Sequence, residues 1–246
     1  MAKSAIVTGG ARGIGRCLVL KLAEMGYDVT TNYTSDSSGA KVESLAAEVQ
    51  ERFGRTVVGV KADVSSPDDC AKTVETAVEQ FGDTIDVLVN NAGVDGKPFM
   101  ESDPDGYAHT IGVDLLGTMH MCHFALPHML DSDTCIVNLS SVAIFVSNPG
   151  GAADYIAAKA GIVGFTRALA SDCARRGVRV NVIAPGFIKT EILNGYDDET
   201  LAGWEESIPL GKMGDVQDIA TTLEFLIENP FMTGQLISPN GGQVMH

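Results

Sequence analysis

A tyrosine and a lysine stand four residues apart at Tyr155 and Lys159. In a helical segment both fall on one face. An ammonium beside a phenol favours the phenolate. A phenol so tuned can exchange a proton with a carbonyl or an alcohol. Ser140 and Ser141 lie upstream, after an apolar run, where a serine hydroxyl could orient the same oxygen. A Tyr–Lys pair at this spacing also arises by chance in many helices, so alone it identifies nothing. The second constellation is Thr8-Gly9-Gly10-Ala11-Arg12-Gly13-Ile14-Gly15. Glycines where a strand turns into a helix let the backbone approach a pyrophosphate, and the helix N-terminus adds N–H donors and a favourable dipole. The spacing here is G-x-x-x-G-x-G rather than G-x-G-x-x-G, and a plain glycine-rich turn would look similar.

Both constellations need a scaffold that delivers a strand into a turn and then a helix. Ala5 to Thr8 is a short apolar run, and Ile14, Leu18, Leu22 and Met25 follow at helical spacing. Val29 to Tyr33, Thr56 to Val60, Ile85 to Val89, Cys135 to Leu139, Val178 to Ile183 and Gln235 to Ser238 read as strands. Helices are expected at Ser44 to Phe53, Pro67 to Phe81, Tyr107 to Leu126, Tyr155 to Ala174, Glu199 to Glu206 and Val216 to Ile227. Short apolar strands alternating with helices predict an α/β fold, a doubly wound parallel sheet covered on both faces with right-handed crossovers. No linker or repeat divides the chain, so residues 1–246 are expected to form one domain. The loop Ser147 to Ala153 and the stretch Lys189 to Pro209 are the segments expected to move.

Composition narrows the partners. The chain has 246 residues and a net charge of −15. Such a surface repels phosphate backbones, so nucleic acid and anionic membranes are poor partners. No run approaches the roughly 18 apolar residues of a membrane span, and the apolar start is too short for a secretion signal. The five cysteines are odd in number and scattered, which argues against a disulfide framework and points to a reducing, cytoplasmic setting. No metal site is expected. His120 and His123, three apart, read as packed or interface histidines. The acids Asp197-Asp198-Glu199 and Glu205-Glu206 read as solvated helix-start residues.

Taken together, the ordered motifs resemble the short-chain dehydrogenase/reductase family over the whole chain. They are the glycine turn Thr8 to Gly15, Ala62-Asp63-Val64, Asn90-Asn91-Ala92-Gly93, Ser141, Tyr155-x-x-x-Lys159, Pro185-Gly186-x-x-x-Thr190 and Pro239-Asn240-Gly241-Gly242. The nearest branch in appearance is the 3-oxoacyl-(acyl-carrier-protein) reductases. The resemblance implies a Rossmann fold, a homotetramer or homodimer, and reversible reduction of a ketone by a nicotinamide cofactor. Tyr155 would exchange the proton, Lys159 would bind the nicotinamide ribose and tune Tyr155, and Ser141 would hold the substrate carbonyl. Gly9, Arg12, Gly13, Ile14 and Gly15 would cradle the phosphates. Asp63 and Val64 would contact adenine. Asn90, Ala92 and Gly93 would line the ribose, and Pro185, Gly186, Ile188 and Thr190 would hold the carboxamide end.

Three departures from the family pattern stand out. Asp114 takes the place of an asparagine that supports the proton relay from the long middle helix, where a short polar side chain could still support a helix distortion. The interval from Ser141 to Tyr155 is one residue longer than is common, which leaves Ser140 beside Ser141 as a candidate, with Ser141 preferred. Basic residues expected around an acidic carrier protein are replaced, by Val94-Asp95-Gly96-Lys97 and by Leu130-Asp131-Ser132-Asp133, leaving Arg175 and Arg176 as candidate contacts. Cofactor choice turns on Tyr33, followed by Thr34 and Ser35, where no carboxylate stands to bind a free ribose hydroxyl pair. Arg12 suits a 2′-phosphate, and Asp36 reads as the start of the next helix. NADP is therefore favoured, with NAD as the alternative. A 3-oxoacyl thioester is the first expected substrate and a hydroxysteroid or other apolar ketone the second, with Phe99, Met100, Ile144, Phe145, Phe187 and Trp204 as candidate pocket residues. A non-catalytic nucleotide-binding protein is the third reading, motivated by Asp114.

Overall fold

The computed structural model describes residues 3–129, 133–146 and 152–245, and of Ile192 the backbone alone. Most of the loop expected to move at 147–153, and residues 130–132, lie outside these.

Strands β1 (Lys3–Val7), β2 (Tyr27–Tyr33), β3 (Val57–Lys61), β4 (Val87–Asn90), β5 (Thr134–Leu139), β6 (Val178–Ile183) and a short β9 (Leu236–Ile237) form one sheet. Its order is β3-β2-β1-β4-β5-β6-β9, and every pairing is parallel. The residues of the central strands alternate between two cores. Ala5, Val7, Val87, Val89, Cys135 and Val137 face one, and Ile6, Leu88 and Ile136 face the other. That period of two, with both faces apolar, is what a sheet covered on both sides requires. Helices α1 (Gly13–Glu24), α2 (Asp36–Phe53) and α8 (Val216–Glu228) cover the first face. Helices α3 (Pro67–Phe81), α5 (Gly117–Ala125) and α6 (Ala153–Cys173) cover the second. Strand order reverses between β1 and β4, so a crevice opens there at the C-terminal ends of the strands, the usual ligand position in such sheets.

Three elements differ from the sequence reading. Helix α2 reaches back from the expected Ser44 to Asp36, the residue read as a helix start, because Ser35 caps it by accepting from Ser38 N. The expected long helix from Tyr107 is instead α4 (Pro104–Ile111), a π-helical turn (Gly112–Leu116) and α5. A small two-stranded pair, β7 (Ile188–Lys189) with β8 (Gly214–Asp215), leads through α7 (Asp198–Ser207) and was not foreseen. Asp197 caps α7, accepting from Thr200 N, as the reading of that acidic run expects. All five cysteines are free and buried. Burial pushes the Cys70 and Cys122 thiols up to about 12 and Cys135 to about 11.

Candidate active site

The glycine turn is fixed from three sides. Gly9 N donates to Asn32 Oδ1 (3.0 Å) and Gly10 N to Thr31 Oγ1 (2.9 Å), both on β2. Thr8 Oγ1 accepts from the backbone N of Asn91 and of Ala92, each at 2.9 Å, and Asn91 Nδ2 returns a bond to Thr8 O. Thr8 and Asn91 thus clamp the turn to the end of β4. Both stand inside the motifs as polar residues beside glycines, and nothing in their type alone marks them as clamps. Gly9 and Gly13 hold φ of +70° and +53°, which L side chains resist. A Cβ on Gly15 would run into the Gly9 carbonyl oxygen. Arg12, at the N-cap of α1, is exposed and makes no side-chain cap, which leaves the first N–H groups of α1 without a capping side chain among the described residues. This cradle fits a pyrophosphate.

The remaining cofactor candidates gather around it. A Cβ on Gly9 would meet Ala92 Cα at 3.1 Å, and one on Gly13 would meet Thr190 Cγ2 at 3.6 Å. Pro185 accepts from Val142 N, and Gly186 N donates to Pro239 O, which ties that segment to the end of β9. Ile188 is buried in β7. Asn90 differs: its Nδ2 donates to Asn138 Oδ1 (2.8 Å) inside the core, so only its backbone is free to face a cofactor. Val64 is likewise buried and packs on Gly117. Asp63 Oδ1 accepts from Ser65 N and Oγ. At the end of β2 the Tyr33 ring lies between Gly39 and Gly59, Thr34 is exposed, and Asp36 pairs with Lys61 at 2.6 Å. Lys61 holds the Asp36 carboxyl below its ordinary value.

Helix α6 starts with Ala152 as its N-cap and presents Tyr155 one turn before Lys159. Lys159 Nζ lies 5.5 Å from the Tyr155 ring centroid, 3.3 Å from Leu139 O and 3.0 Å from Asp114 Oδ2. Asp114 is fully buried in the π-turn. Its Oδ1 accepts from Val94 N (2.8 Å), and its carbonyl accepts from Thr118 Oγ1 (2.9 Å). The helix distortion expected of a short polar residue is therefore present, at a turn type often found in functional sites. Burial raises the Asp114 carboxyl above its ordinary value, against the opposing pull of Lys159 and the Val94 N–H. A Cβ on Gly93 would meet Lys159 Nζ at 3.1 Å and Asp114 Oδ2 at 3.2 Å, so the turn after β4 closes directly on this pair.

The two serines part company. Ser140 is buried and donates to Lys159 O at 2.8 Å. Ser141 is only partly buried and caps a short 3-10 turn (Val142–Ile144), its Oγ accepting from Ala143 N at 3.1 Å. Of the pocket candidates, Phe187 stacks on Trp204 with centroids 4.8 Å apart, and Tyr196 meets Trp204 edge-on at 4.7 Å. Phe99 stacks on Tyr107, Met100 is 94% exposed, and Ile144 packs against the cluster of Ile162, Val163 and Val182. His120 Nδ1 faces Val64 O at 3.4 Å. Arg175 and Arg176 lie beyond the far end of α6, about 30 Å from Tyr155 at the rise of a helix.

A parallel sheet with a glycine cradle and a Tyr–Lys helix at its crevice defines a nucleotide-dependent oxidoreductase, and the chain belongs to the short-chain dehydrogenase/reductase family. The family model that matches residues 9–243 is described as Enoyl-(Acyl carrier protein) reductase. The 3-oxoacyl-(acyl-carrier-protein) reductase FabG of Staphylococcus aureus strain N315 is 39% identical over 100% of this chain and 99% of its own. The 3-oxoacyl-(acyl-carrier-protein) reductase of Synechocystis is 36% identical over 99% and 98%. Among solved structures, a blue fluorescent protein from a metagenomic library in complex with NADPH superposes with a TM-score of 0.93 at 32% identity, covering 99% of this chain and 98% of that one. A short-chain dehydrogenase/reductase from Serratia marcescens gives 0.91 at 30%, covering 98% and 97%.

Proposed function

We propose that this chain, acting as one domain, reduces the ketone of a 3-oxoacyl thioester to a secondary alcohol at the expense of NADPH. The observation that supports the reading best is Tyr155 beside Lys159, with Lys159 closed over by Gly93 at the end of β4, at the β1/β4 crevice. The full-length likeness to 3-oxoacyl reductases supports the substrate class. The absence of a carboxylate at Tyr33 and Thr34, the pairing of Asp36 with Lys61, and the exposed Arg12 support NADPH over NADH.

Bound at the cradle, NADPH would supply a hydride. The N-terminus of α1 would hold its pyrophosphate and Arg12 its 2′-phosphate, Asp63 and the backbone of Val64 its adenine, and the backbone of Asn90 with Ala92 and Gly93 its ribose. Pro185, Gly186, Ile188 and Thr190 would hold its far end. Ser141 Oγ would donate to the substrate carbonyl and fix its direction. Tyr155 Oη would give its proton to the carbonyl oxygen as the carbon accepts the hydride, so C=O becomes CH–OH with one hydride and one proton consumed. Lys159 would hold the Tyr155 side of the ribose, with Leu139 O and Asp114 holding Lys159.

A bulky apolar ketone is the second substrate reading, favoured by the ring cluster of Phe187, Trp204 and Tyr196 that follows Pro185-Gly186. The deciding experiment follows reduced-nicotinamide absorbance with NADPH and NADH against an acetoacetyl thioester, a steroid ketone and a small diketone. Turnover of the thioester with NADPH is the expected result. Turnover of the steroid ketone alone moves the reading to the second substrate. Cofactor binding with no turnover of any ketone overturns both. Arg12→Ala is expected to raise the KM for NADPH roughly tenfold and leave that for NADH, since a charge-assisted contact is worth about 1.5–3 kcal/mol.

A further inference from the structure

We propose that Asp114 extends upward the pH range over which this site reduces a ketone, by cancelling the charge of Lys159 beside Tyr155. The inference rests on Tyr155 being the group that exchanges the proton. Reduction needs the phenol, because its proton goes to the carbonyl oxygen as the carbon takes the hydride. Oxidation needs the phenolate, which takes that proton back as the hydride leaves.

A lone ammonium beside the ring favours the phenolate. Here the ammonium is not alone. Asp114 Oδ2 lies 3.0 Å from Lys159 Nζ, on the fully buried side chain of the π-turn. Two opposite charges that close act on a third group as a dipole, and the field of a dipole falls off faster than that of a single charge. The pair is also fixed. Val94 N holds Asp114 Oδ1, Leu139 O holds Lys159 Nζ, and Gly93 closes over both with no room for a side chain between them. The charges that act most on Asp114 are Lys159 from α6 and Asp95 from the loop after β4; α4 and α5, which also pack on the π-turn, carry the titratable groups Asp105, His109, His120 and His123. Asp95 carries the same sign as Asp114 and works against its ionisation, whereas Lys159 favours it. On α6 itself, Asp154 precedes Tyr155 and accepts from its backbone N at 2.9 Å, adding negative charge at the same helix start. The site around the phenol is thus far less cationic than a Tyr–Lys pair alone would make it.

The equilibrium constant is untouched, since a catalyst serves both directions. What moves is the pH at which each direction is supported. The test uses the full-length protein and compares the pH profile of kcat/KM for wild type and Asp114→Asn, in reduction with NADPH and in alcohol oxidation with NADP. Asp114→Ser serves as a second charge-free variant should the first not fold. NADPH binding followed by fluorescence confirms that each variant holds its cofactor. The expected result is that the alkaline limb of reduction and the acid limb of oxidation both move down by about one pH unit or more, the size of a nearby-charge effect. A structural role alone would change the rates and leave both limbs in place. Unmoved limbs in a variant that binds NADPH overturn the proposal. So does a variant that binds NADPH but has no measurable turnover, which would make the carboxylate obligatory. A wild type that reduces no ketone overturns this inference and the functional reading together, whereas an active wild type with unmoved limbs overturns this inference alone.

Discussion

Tyr155→Phe removes one hydroxyl and leaves the ring beside Lys159. Turnover is expected to fall by at least 10²-fold, the lower bound for losing a positioned acid, with NADPH binding kept, as rate and fluorescence titration would show. The two serines separate in the same assay. Ser141→Ala is expected to cut kcat with little effect on melting. Ser140→Ala, which deletes the buried bond to Lys159 O, is expected to lower stability by about 1 kcal/mol. Asp114 also leaves a mark on folding. Its folded-state value is raised by burial, so the native chain binds that proton more readily than the unfolded one. The stability it contributes is whole below about pH 4, the unfolded value, and is lost as pH rises through the raised folded value. The melting temperature of Asp114→Asn, measured against wild type, is therefore expected to climb with pH across that window; a flat difference would contradict it. At this scale the sequence shows which side chains carry chemistry. It does not show that Asn90 and Val64 turn their side chains into the core, or that Thr8 and Asn91 do the clamping, because those facts depend on which strands end up adjacent.

Among the elements, the turn between β1 and α1 has the least room for change. Gly15→Ala would drive a methyl into the Gly9 carbonyl, and the turn cannot retreat because Asn32, Thr31 and Asn91 hold it. A loss of about 1–3 kcal/mol in stability is expected from the strain, together with weakened NADPH binding, both readable in melts with and without cofactor. The strands and most helices were legible because apolar period and caps are local properties: α3 and β6 fall where the pattern places them. The π-turn was not legible as such. It inserts one residue's worth of slack between Gly112 and Leu116, and the sequence carries only the polar Asp114 and the flanking Gly112 and Gly117 as hints. The β7–β8 pair escaped because two strands of two residues each leave no periodicity to read.

For the molecule as a whole, charge and surface set the terms. With −15 spread over 246 residues, self-association must rest on apolar contacts. Phe225 and Phe231, in and after α8, are 46% and 98% exposed, and Leu116 and Met119, by α5, are 42% and 39% exposed. Light scattering is expected to give a mass at a multiple of 25.9 kDa, and charged replacements such as Phe231→Glu to lower it. A monomer at micromolar concentration would set aside the expected homotetramer or homodimer. The fold class was legible from the alternation of elements along the chain. The order of strands was not, since adjacency between β1 and β4 is decided by packing across many residues.

The five buried cysteines have one more consequence. They are distributed over α1, α3, α5, β5 and α6, one in each. Cys70, Cys122 and Cys135 are 1% exposed, Cys17 and Cys173 9% and 8%, so a thiol reagent in solution meets at most an edge of the last two while the chain is closed, and burial keeps the reactive thiolate scarce. Each modification therefore records an opening event in the element that houses it. Five equal labelling rates would describe a chain that opens all at once; a spread of rates, read peptide by peptide, would give the order in which its layers come apart.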